Sequence, residues 1–248
     1  MTMFEYTKKA FLAMKERPKK ERWQYFLDYY KWPAIAVLLA IVILIQSVVA
    51  IVTRKDTVFS GVLVDGYSFD TSDEYMAALG TYLGINTEEE QVQFQTGILL
   101  ESGSEKDKSN AFQQLLASLT VKATDFIVAP EGSFELCAYN VNNIFADLRN
   151  SLDADTLAKL EDKLYYIDRT LFKKIQEEVS QGIISDIDYP DPHAPEAMDD
   201  PIPVGIDISG NTEFCDRYYL TDDPVYLGMA INTTRQEMVI RFMEFLLS

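Results

Sequence analysis

Residues 33–52 read PAIAVLLAIVILIQSVVAIV, twenty residues without a charged side chain. An α-helix of this length spans about 30 Å, the thickness of the hydrocarbon core of a bilayer, because each residue adds about 1.5 Å. Thirteen of the twenty residues are Ile, Leu or Val, and their favourable transfer into lipid outweighs the cost of Gln46 and Ser47. The stretch predicts a single transmembrane helix over residues 32–53.

Two other interpretations of this stretch fit less well. A buried core helix would need a polar stripe and a surrounding domain, and the stretch has no such stripe. A cleaved signal peptide has a short basic start, an apolar run of about 7–15 residues and a small-residue cleavage site. Here 32 residues precede a longer run, and the first 136 residues hold no cysteine for lipid attachment. We therefore predict an uncleaved signal anchor.

The positive charges predict the orientation of the helix. Before the apolar run lie Lys19, Lys20, Arg22 and Lys31, and after it only Arg54 and Lys55 follow closely. Cationic side chains are retained on the cytoplasmic side. We expect residues 1–31 to form a basic, amphipathic juxtamembrane helix on the cytoplasmic leaflet, so that the lipid bilayer is one partner. Residues 54–248 are then extracytoplasmic, and the protein resides in the cell membrane.

The charge distribution excludes one class of partner. The first 31 residues hold 8 of the 22 basic and 4 of the 39 acidic side chains, which leaves 14 basic and 35 acidic residues and a net charge of −21 for the remainder. Nucleic acid phosphates attract clustered Lys and Arg and repel such a domain. We expect no nucleic acid partner.

Strand-like and helix-like runs alternate after residue 53, which indicates a layered α/β domain. Apolar, β-branched runs predict strands at 58–64, 92–99, 125–128, 165–167, 204–208 and 225–231. Helical spacing of apolar residues predicts helices at 72–83, 107–119, 134–139, 153–163, 170–180 and 235–247, the last capped by Asn232, Thr233 and Thr234. Residues 184–203 are rich in Asp and Pro and predict a surface loop.

Three stretches carry a family resemblance: VFSGVLV at 58–64 with the helix after it, ATDFIVAPEGSFEL at 123–136, and PVYLGMAINTTRQEMVIRFMEFLLS at 224–248. They resemble one lobe of a type II periplasmic solute-binding protein. The resemblance implies a small solute held by loops at strand ends. The Lys-, Trp- and Tyr-rich start that ends in Tyr29–Trp32 is similar to that of single-pass anchored proteins of Gram-positive bacteria, and it implies no activity.

The candidate ligand rim follows from the strand order. In an open α/β sheet, ligands bind at the carboxyl ends of the strands. The turns there are Asp65, Gly66 and Tyr67, then Glu131, Gly132 and Ser133, then Ser209 and Gly210. Ordinary turns and helix caps would use the same residue types, so both interpretations stay open.

No motif indicates an enzyme or a cofactor. The one histidine, His193, lies in the Asp- and Pro-rich loop, where a histidine is typically solvated, and no Gly-rich phosphate loop, HExxH or CxxC spacing occurs. Carboxylate-only catalysis is the remaining enzymatic alternative. Loop carboxylates suit Ca²⁺ in principle but lack EF-hand spacing, and we assign no metal. They are Asp186, Asp188, Asp191, Asp199 and Asp200.

Cys137 and Cys215 leave two alternatives. Both are predicted to lie outside the membrane, where a disulfide can persist. Both also sit in apolar helical surroundings, which suits two buried free thiols.

These observations predict a membrane-tethered extracytoplasmic binding or interaction module, not an enzyme. Because it is tethered, the module could be an accessory subunit of a transport or envelope complex, and its partners would then be other membrane or envelope proteins. A structural scaffold without a ligand and a divergent enzyme domain are the alternatives.

Overall fold

The computed structural model describes Pro18 and residues 31–67, 73–101, 104–183 and 187–248. The chain divides into two compact units, Met1–Arg54 and Lys55–Ser248. Most of the predicted juxtamembrane helix lies outside the described residues.

The first unit contains helix α1, Lys31–Val52. Its described side chains, those of Trp32 and residues 34–49, are all exposed. Ser47 satisfies its hydroxyl inside the helix by donating to the carbonyl of Ile43 at 2.8 Å. Within the described part of the chain, no helix reaches the length and hydropathy of a membrane span. The transmembrane helix at residues 32–53 stays a prediction.

The second unit is built on a six-stranded mixed sheet of order β2-β1-β3-β6-β5-β4. The strands are β1 Asp56–Val64, β2 Glu90–Ile98, β3 Phe126–Pro130, β4 Leu164–Asp168, β5 Pro201–Asp207 and β6 Val225–Met229. Strands β2, β1 and β3 are parallel, while β6 is antiparallel to both β3 and β5. Strands β1, β2, β3 and β5 therefore all end at one edge, the carboxyl edge, and begin at the opposite amino edge.

Seven α-helices of this unit lie among the described residues. They are α2 Asp73–Leu83, α3 Glu105–Thr120, α4 Glu131–Ala138, α5 Ala154–Lys159, α6 Arg169–Ser180, α7 Thr212–Tyr218 and α8 Gln236–Leu247. Short 3₁₀ turns occur at Leu148–Asn150, Glu161–Lys163 and Pro195–Ala197. The predicted layered α/β class is confirmed at this level.

Helices cover both faces of the sheet because its central strands are apolar on both sides. Successive residues alternate between two buried clusters, as Leu63 and Val62 do on β1. The first cluster includes Leu79 of α2, Phe214 of α7 and Phe242 of α8. The second includes Leu115 of α3, Phe134 of α4 and Phe172 of α6. A strand buried on both faces has a continuous apolar run, which is why β3 is FIVAP.

Asp125 ties the amino edge together. This fully buried carboxylate accepts from the backbone N–H of Ser60 at 3.0 Å, the hydroxyl of Thr233 at 2.7 Å and Nη1 of Arg235 at 3.2 Å. The prediction that Asn232, Thr233 and Thr234 cap the last helix is wrong: α8 begins at Gln236, and its N-cap residue Arg235 makes no side-chain cap hydrogen bond. The Thr233 hydroxyl donates to the buried carboxylate and accepts from the backbone N–H of Arg235 at 3.0 Å, one residue before the helix begins.

Two further predictions about elements are corrected. The predicted loop at 184–203 ends too late, because β5 begins at Pro201. Proline donates no backbone hydrogen bond and is tolerated at irregular positions. Pro203 lies opposite Tyr166, where the β4–β5 register shifts. The predicted helix at 153–163 is interrupted at Leu160. Helix α7 was not in the predicted order of elements, although helical surroundings were expected for Cys215.

Candidate functional site

The predicted rim residues lie along one edge of the sheet. Asp65–Tyr67 follows β1, Glu131–Ser133 forms the first turn of α4 after β3, and Ser209–Gly210 follows β5. These three strands run in the same direction, so all three segments lie at the carboxyl edge.

Asp65 joins the first two segments. Its carboxylate accepts from the backbone N–H of Leu100 at 2.9 Å and of Glu101 at 3.3 Å, and also from the hydroxyl of Ser133. Its backbone has a φ of 51°, in the left-handed region that Asp tolerates better than most residues. Much of its hydrogen-bonding capacity is therefore used inside the fold, where it positions the edge.

The start of β6 joins the second and third segments. The backbone N–H of Glu131 donates to the carbonyl of Pro224 at 2.9 Å. The next residue, Val225, donates its N–H to the hydroxyl of Ser209 at 2.9 Å. Gly210 stays exposed. The three segments are thus neighbours in one hydrogen-bonded series along the edge.

Helix α4 is held against the sheet by a close aromatic contact. A Cβ atom at Gly205 of β5 would lie 2.4 Å from the Phe134 ring, a distance that no larger residue could accept without movement. Phe134 is fully buried. This contact positions the first turn of α4, with Glu131 and Ser133, at the edge.

The carboxyl edge is strongly acidic. Partial burial, and then the nearby charges of Asp65 and Asp223, raise the pKa of Glu101. Burial together with the charge of Glu131 raises the pKa of Glu135. A Cβ atom at Gly132 would lie 2.3 Å from Oε1 of Glu101, so the glycine allows this carboxylate to approach α4. Close carboxylates repel one another, and the repulsion would be relieved by a bound cation.

Two exposed apolar side chains accompany these carboxylates. Tyr67 is 40% exposed and Leu220 is 74% exposed. Tyr67 belongs to the predicted rim, and its backbone N–H donates to the carbonyl of Tyr218 at 2.7 Å. The Tyr67 segment is thereby fixed to the end of α7, next to Leu220.

The predicted rim does not line any of the four cavities that we describe. Those of about 550, 270 and 130 Å³ lie on the side of the first core cluster, against α2, α5 and α8 respectively. One of about 380 Å³ lies beside α6 at the amino edge. None has any of the eight rim residues in its lining.

His193 has a partner that the sequence did not indicate. The residue is exposed at the surface, yet Nε2 of its ring lies 2.9 Å from the hydroxyl oxygen of buried Tyr226. The imidazole also packs edge-on against Tyr165, with ring centroids 6.4 Å apart. The expectation of a simply solvated side chain was incomplete, because Tyr226 lies 33 positions further along the chain.

The Asp-rich loop is organised around Asp168. This carboxylate accepts from the backbone N–H groups of Asp199 at 3.0 Å and Asp200 at 3.2 Å. Burial alone would raise the pKa of Asp168, but the hydrogen bonds of Asp199, Thr170 and Asp200 together lower it. Asp186 lies outside the described residues. Among the described side chains, no three Asp, Glu, His or Cys groups lie close enough to hold a metal ion.

The two cysteines are free thiols. Cys137 belongs to the second core cluster and Cys215 packs against the first, so the sheet lies between them. The disulfide alternative is wrong for this structure, since the bond would require the two sulfurs to meet on one side. Burial, followed by the charge of a nearby Asp, raises the pKa of Cys137 to about 12 and that of Cys215 to about 11.

Comparisons with protein-family models, with curated proteins and with solved structures found no match for this chain.

Proposed function

We propose that the protein is a membrane-tethered extracytoplasmic interaction module whose carboxyl edge binds a cationic segment of another membrane or envelope protein. The observation that supports this most directly is that Asp65, Glu101, Glu131 and Asp223 lie at one edge of the sheet, where the charges of Asp65 and Asp223 act on Glu101 more strongly than that of Lys108. Exposed Tyr67 and Leu220 lie beside them. Lysine or arginine would be attracted by the carboxylates. The flanking aromatic and aliphatic side chains would cover the apolar part of the partner.

The tether is supported by α1. Its described side chains are apolar and exposed on every side, as Ile35, Leu38 and Ile45 illustrate. A helix with apolar residues all round is stable in lipid or in the core of a large protein. Together with the basic residues before it, this helix supports a cytoplasmic N-terminus and an extracytoplasmic domain.

The resemblance to one lobe of a type II periplasmic solute-binding protein belongs to the same proposal. It is supported by the last strand β6 and the terminal helix α8, and by three adjacent parallel strands, β2, β1 and β3. A cationic partner segment would occupy the edge at which that resemblance implies a solute.

The orientation is tested by adding protease to intact cells that carry an epitope at each end of the chain. We expect the C-terminal epitope to be lost and the N-terminal one to survive. Survival of the C-terminal epitope in intact cells, with loss after permeabilisation, would contradict the proposed topology.

Binding is tested with the full chain in nanodiscs of neutral phosphatidylcholine. The probe is a fluorescent Lys/Ser peptide, compared with a Glu/Ser peptide of the same length. We expect only the Lys/Ser peptide to bind, with an affinity that falls as salt is added.

A charge-matched pair of variants locates the contact. The double variant Glu101→Gln, Asp223→Asn should bind the Lys/Ser peptide with an affinity roughly tenfold lower, since each exposed charge pair contributes up to about 1 kcal/mol. Asp56→Asn with Glu237→Gln removes the same charge near the amino edge and should change the affinity by less than about twofold. If both double variants lost the same affinity for the peptide, the binding would depend on the net charge of the domain and not on the carboxyl edge. Absence of binding would favour the structural scaffold.

A further inference from the structure

We infer that the cavity beside α6 at the amino edge is a binding site for a small organic anion, namely a carboxylate attached to an apolar body. The cavity has a volume of about 380 Å³, within the range of roughly 300–1,000 Å³ that small-molecule sites occupy. It lies at the opposite end of the sheet from the carboxyl edge, so this site is independent of the proposed partner contact.

The floor of the cavity is apolar. Ile167 of β4, Ile202 of β5 and Phe172 of α6 line it and are 2%, 9% and 7% exposed, respectively. Phe145 closes another side, fixed by its backbone bridge to Ala230. Ile231 stands at the rim with 43% of its surface exposed. An apolar ligand body of aromatic size would find contacts on several sides here.

Two cations lie in the same lining. Arg169 begins α6 and Lys173 follows one turn later, so both project from one side of the helix into the lining. We find no ion pair for Lys173 with any described residue. In a domain where acidic residues outnumber basic ones by 35 to 14, an unpaired lysine at a cavity is well placed for an external anion.

Two neighbouring carboxylates fix the position of the Arg169 guanidinium. Its Nη2 donates to Oδ2 of Asp147 at 2.9 Å, while Nη1 lies 3.7 Å from Oδ2 of Asp200. Asp147 also accepts from Arg149 at 2.7 Å, so this one carboxylate is shared by two guanidinium groups. A guanidinium has five N–H donors, which leaves Arg169 donors for a ligand. Within the cavity lining itself, the charged side chains are Asp147, Arg169 and Lys173, so the cations outnumber the carboxylate by two to one.

Amide side chains complete the polar part of the lining. Asn143 and Asn150 lie on the segment between α4 and α5. Asn143 has a φ of 51°, in the left-handed region where Asn is favoured. Gln176 of α6 is fixed by a 2.8 Å hydrogen bond from Nε2 to the carbonyl of Val141. These groups would orient a carboxylate near the two cations, above an apolar floor.

The test compares phenylacetate with phenylacetamide, which has the same shape and no charge. The full chain in phosphatidylcholine nanodiscs is titrated by calorimetry, with empty nanodiscs as the blank. We expect phenylacetate to bind with a Kd of roughly 1 mM or tighter, and phenylacetamide to bind at least about fivefold more weakly. Equal affinity for the two compounds, or no heat from phenylacetate up to about 10 mM, would overturn the inference.

Two matched pairs of variants identify the cavity. Lys173→Gln should lower the affinity for phenylacetate by roughly fivefold. Lys174→Gln removes the adjacent lysine, which pairs with Glu178, and should leave that affinity unchanged. Ile231→Trp should obstruct the cavity, whereas Val179→Trp places the same side chain at an exposed position of α6 outside the lining and should not. If the members of either pair have equal effects, the site is elsewhere. The Glu101→Gln, Asp223→Asn variant should keep its affinity for phenylacetate, so the two proposals fail separately.

Discussion

Replacing Asp65 tests how the carboxyl edge is held together. In Asp65→Ala, the fully buried hydroxyl of Ser133 and the backbone N–H of fully buried Leu100 both lose their acceptor. A buried donor without a partner costs about 1–3 kcal/mol. Alanine at a φ of 51° adds about 1 kcal/mol of backbone strain. Because Asp65 is only partly buried, we expect a loss of about 3–4 kcal/mol.

Two further substitutions separate the carboxylate from the backbone. Asp65→Asn keeps one acceptor oxygen and a residue that tolerates the left-handed region, so we expect a loss of about 1 kcal/mol. Asp65→Gly removes the carboxylate but relieves the strain, and should be about 1 kcal/mol more stable than Asp65→Ala. The order of stability is therefore wild type, Asn, Gly, Ala.

The measurement is urea unfolding of the full chain in neutral detergent, followed by near-ultraviolet circular dichroism of the outer domain's aromatic residues. Asp222→Ala, at an exposed position, is the control and should change stability by less than about 0.5 kcal/mol. An Asp65→Ala variant as stable as this control would refute the role of the carboxylate. A glycine variant no more stable than the alanine variant would refute the strain argument.

Three other substitutions or reactions have defined outcomes. Asp125→Ala leaves the backbone N–H of Ser60 and the buried hydroxyl of Thr233 without an acceptor, and Arg235 without its carboxylate partner. It should cost about 3–5 kcal/mol in the same urea measurement, and a cost below about 1 kcal/mol would contradict these contacts. The fold raises the pKa of Glu101 above its ordinary value of 4.5, because the charged form is unfavourable there. Glu101 therefore destabilises the fold at any pH above the raised pKa, and this cost disappears below pH 4.5, where the side chain is protonated in both the folded and the unfolded chain. Glu101→Gln should therefore stabilise the domain by about 0.5 kcal/mol at neutral pH, with the gain lost on acidification, and a gain that is independent of pH would argue against the repulsion. With a thiol reagent, Cys215 should react slowly and Cys137 only on unfolding, and fast reaction of both in the folded protein would contradict their burial.

The strands were the most predictable part of the fold. Strand β1 was predicted at 58–64 and lies at Asp56–Val64, and β3 was predicted at 125–128 and lies at Phe126–Pro130. Their apolar runs report burial on both faces, a property that each segment carries locally. The position of β6 between β3 and β5 has no local signal, because it depends on pairing between residues about a hundred positions apart.

Helix α7 shows where local patterns are insufficient. Phe214 and Tyr218 are spaced four residues apart and both are buried, but the segment is short and Glu213, Asp216 and Arg217 lie among its apolar residues. Its apolar face is defined only once the sheet is present to cover it.

The candidate site was predictable in position but not in composition. Turn chemistry placed Asp65 and Ser133 at the same edge, since the strands before them are parallel. It did not select Glu101 or Asp223, whose importance comes from their proximity to Asp65 in the folded domain. The amino-edge cavity was not predictable either, because Arg169 and Lys173 meet Asn143 only through the packing of α6.

The central position of β6 also determines when the sheet can be completed. The order β2-β1-β3-β6-β5-β4 means that β1, β2 and β3 can assemble early, and so can the β4–β5 pair, but the two groups share no strand until β6 arrives. The pairing of Phe126 with Met229 closes a long loop, which makes it a slow step in folding. During synthesis we therefore expect two partial sheets with open edges until β6 is complete, an interval in which a chaperone could bind the exposed strands.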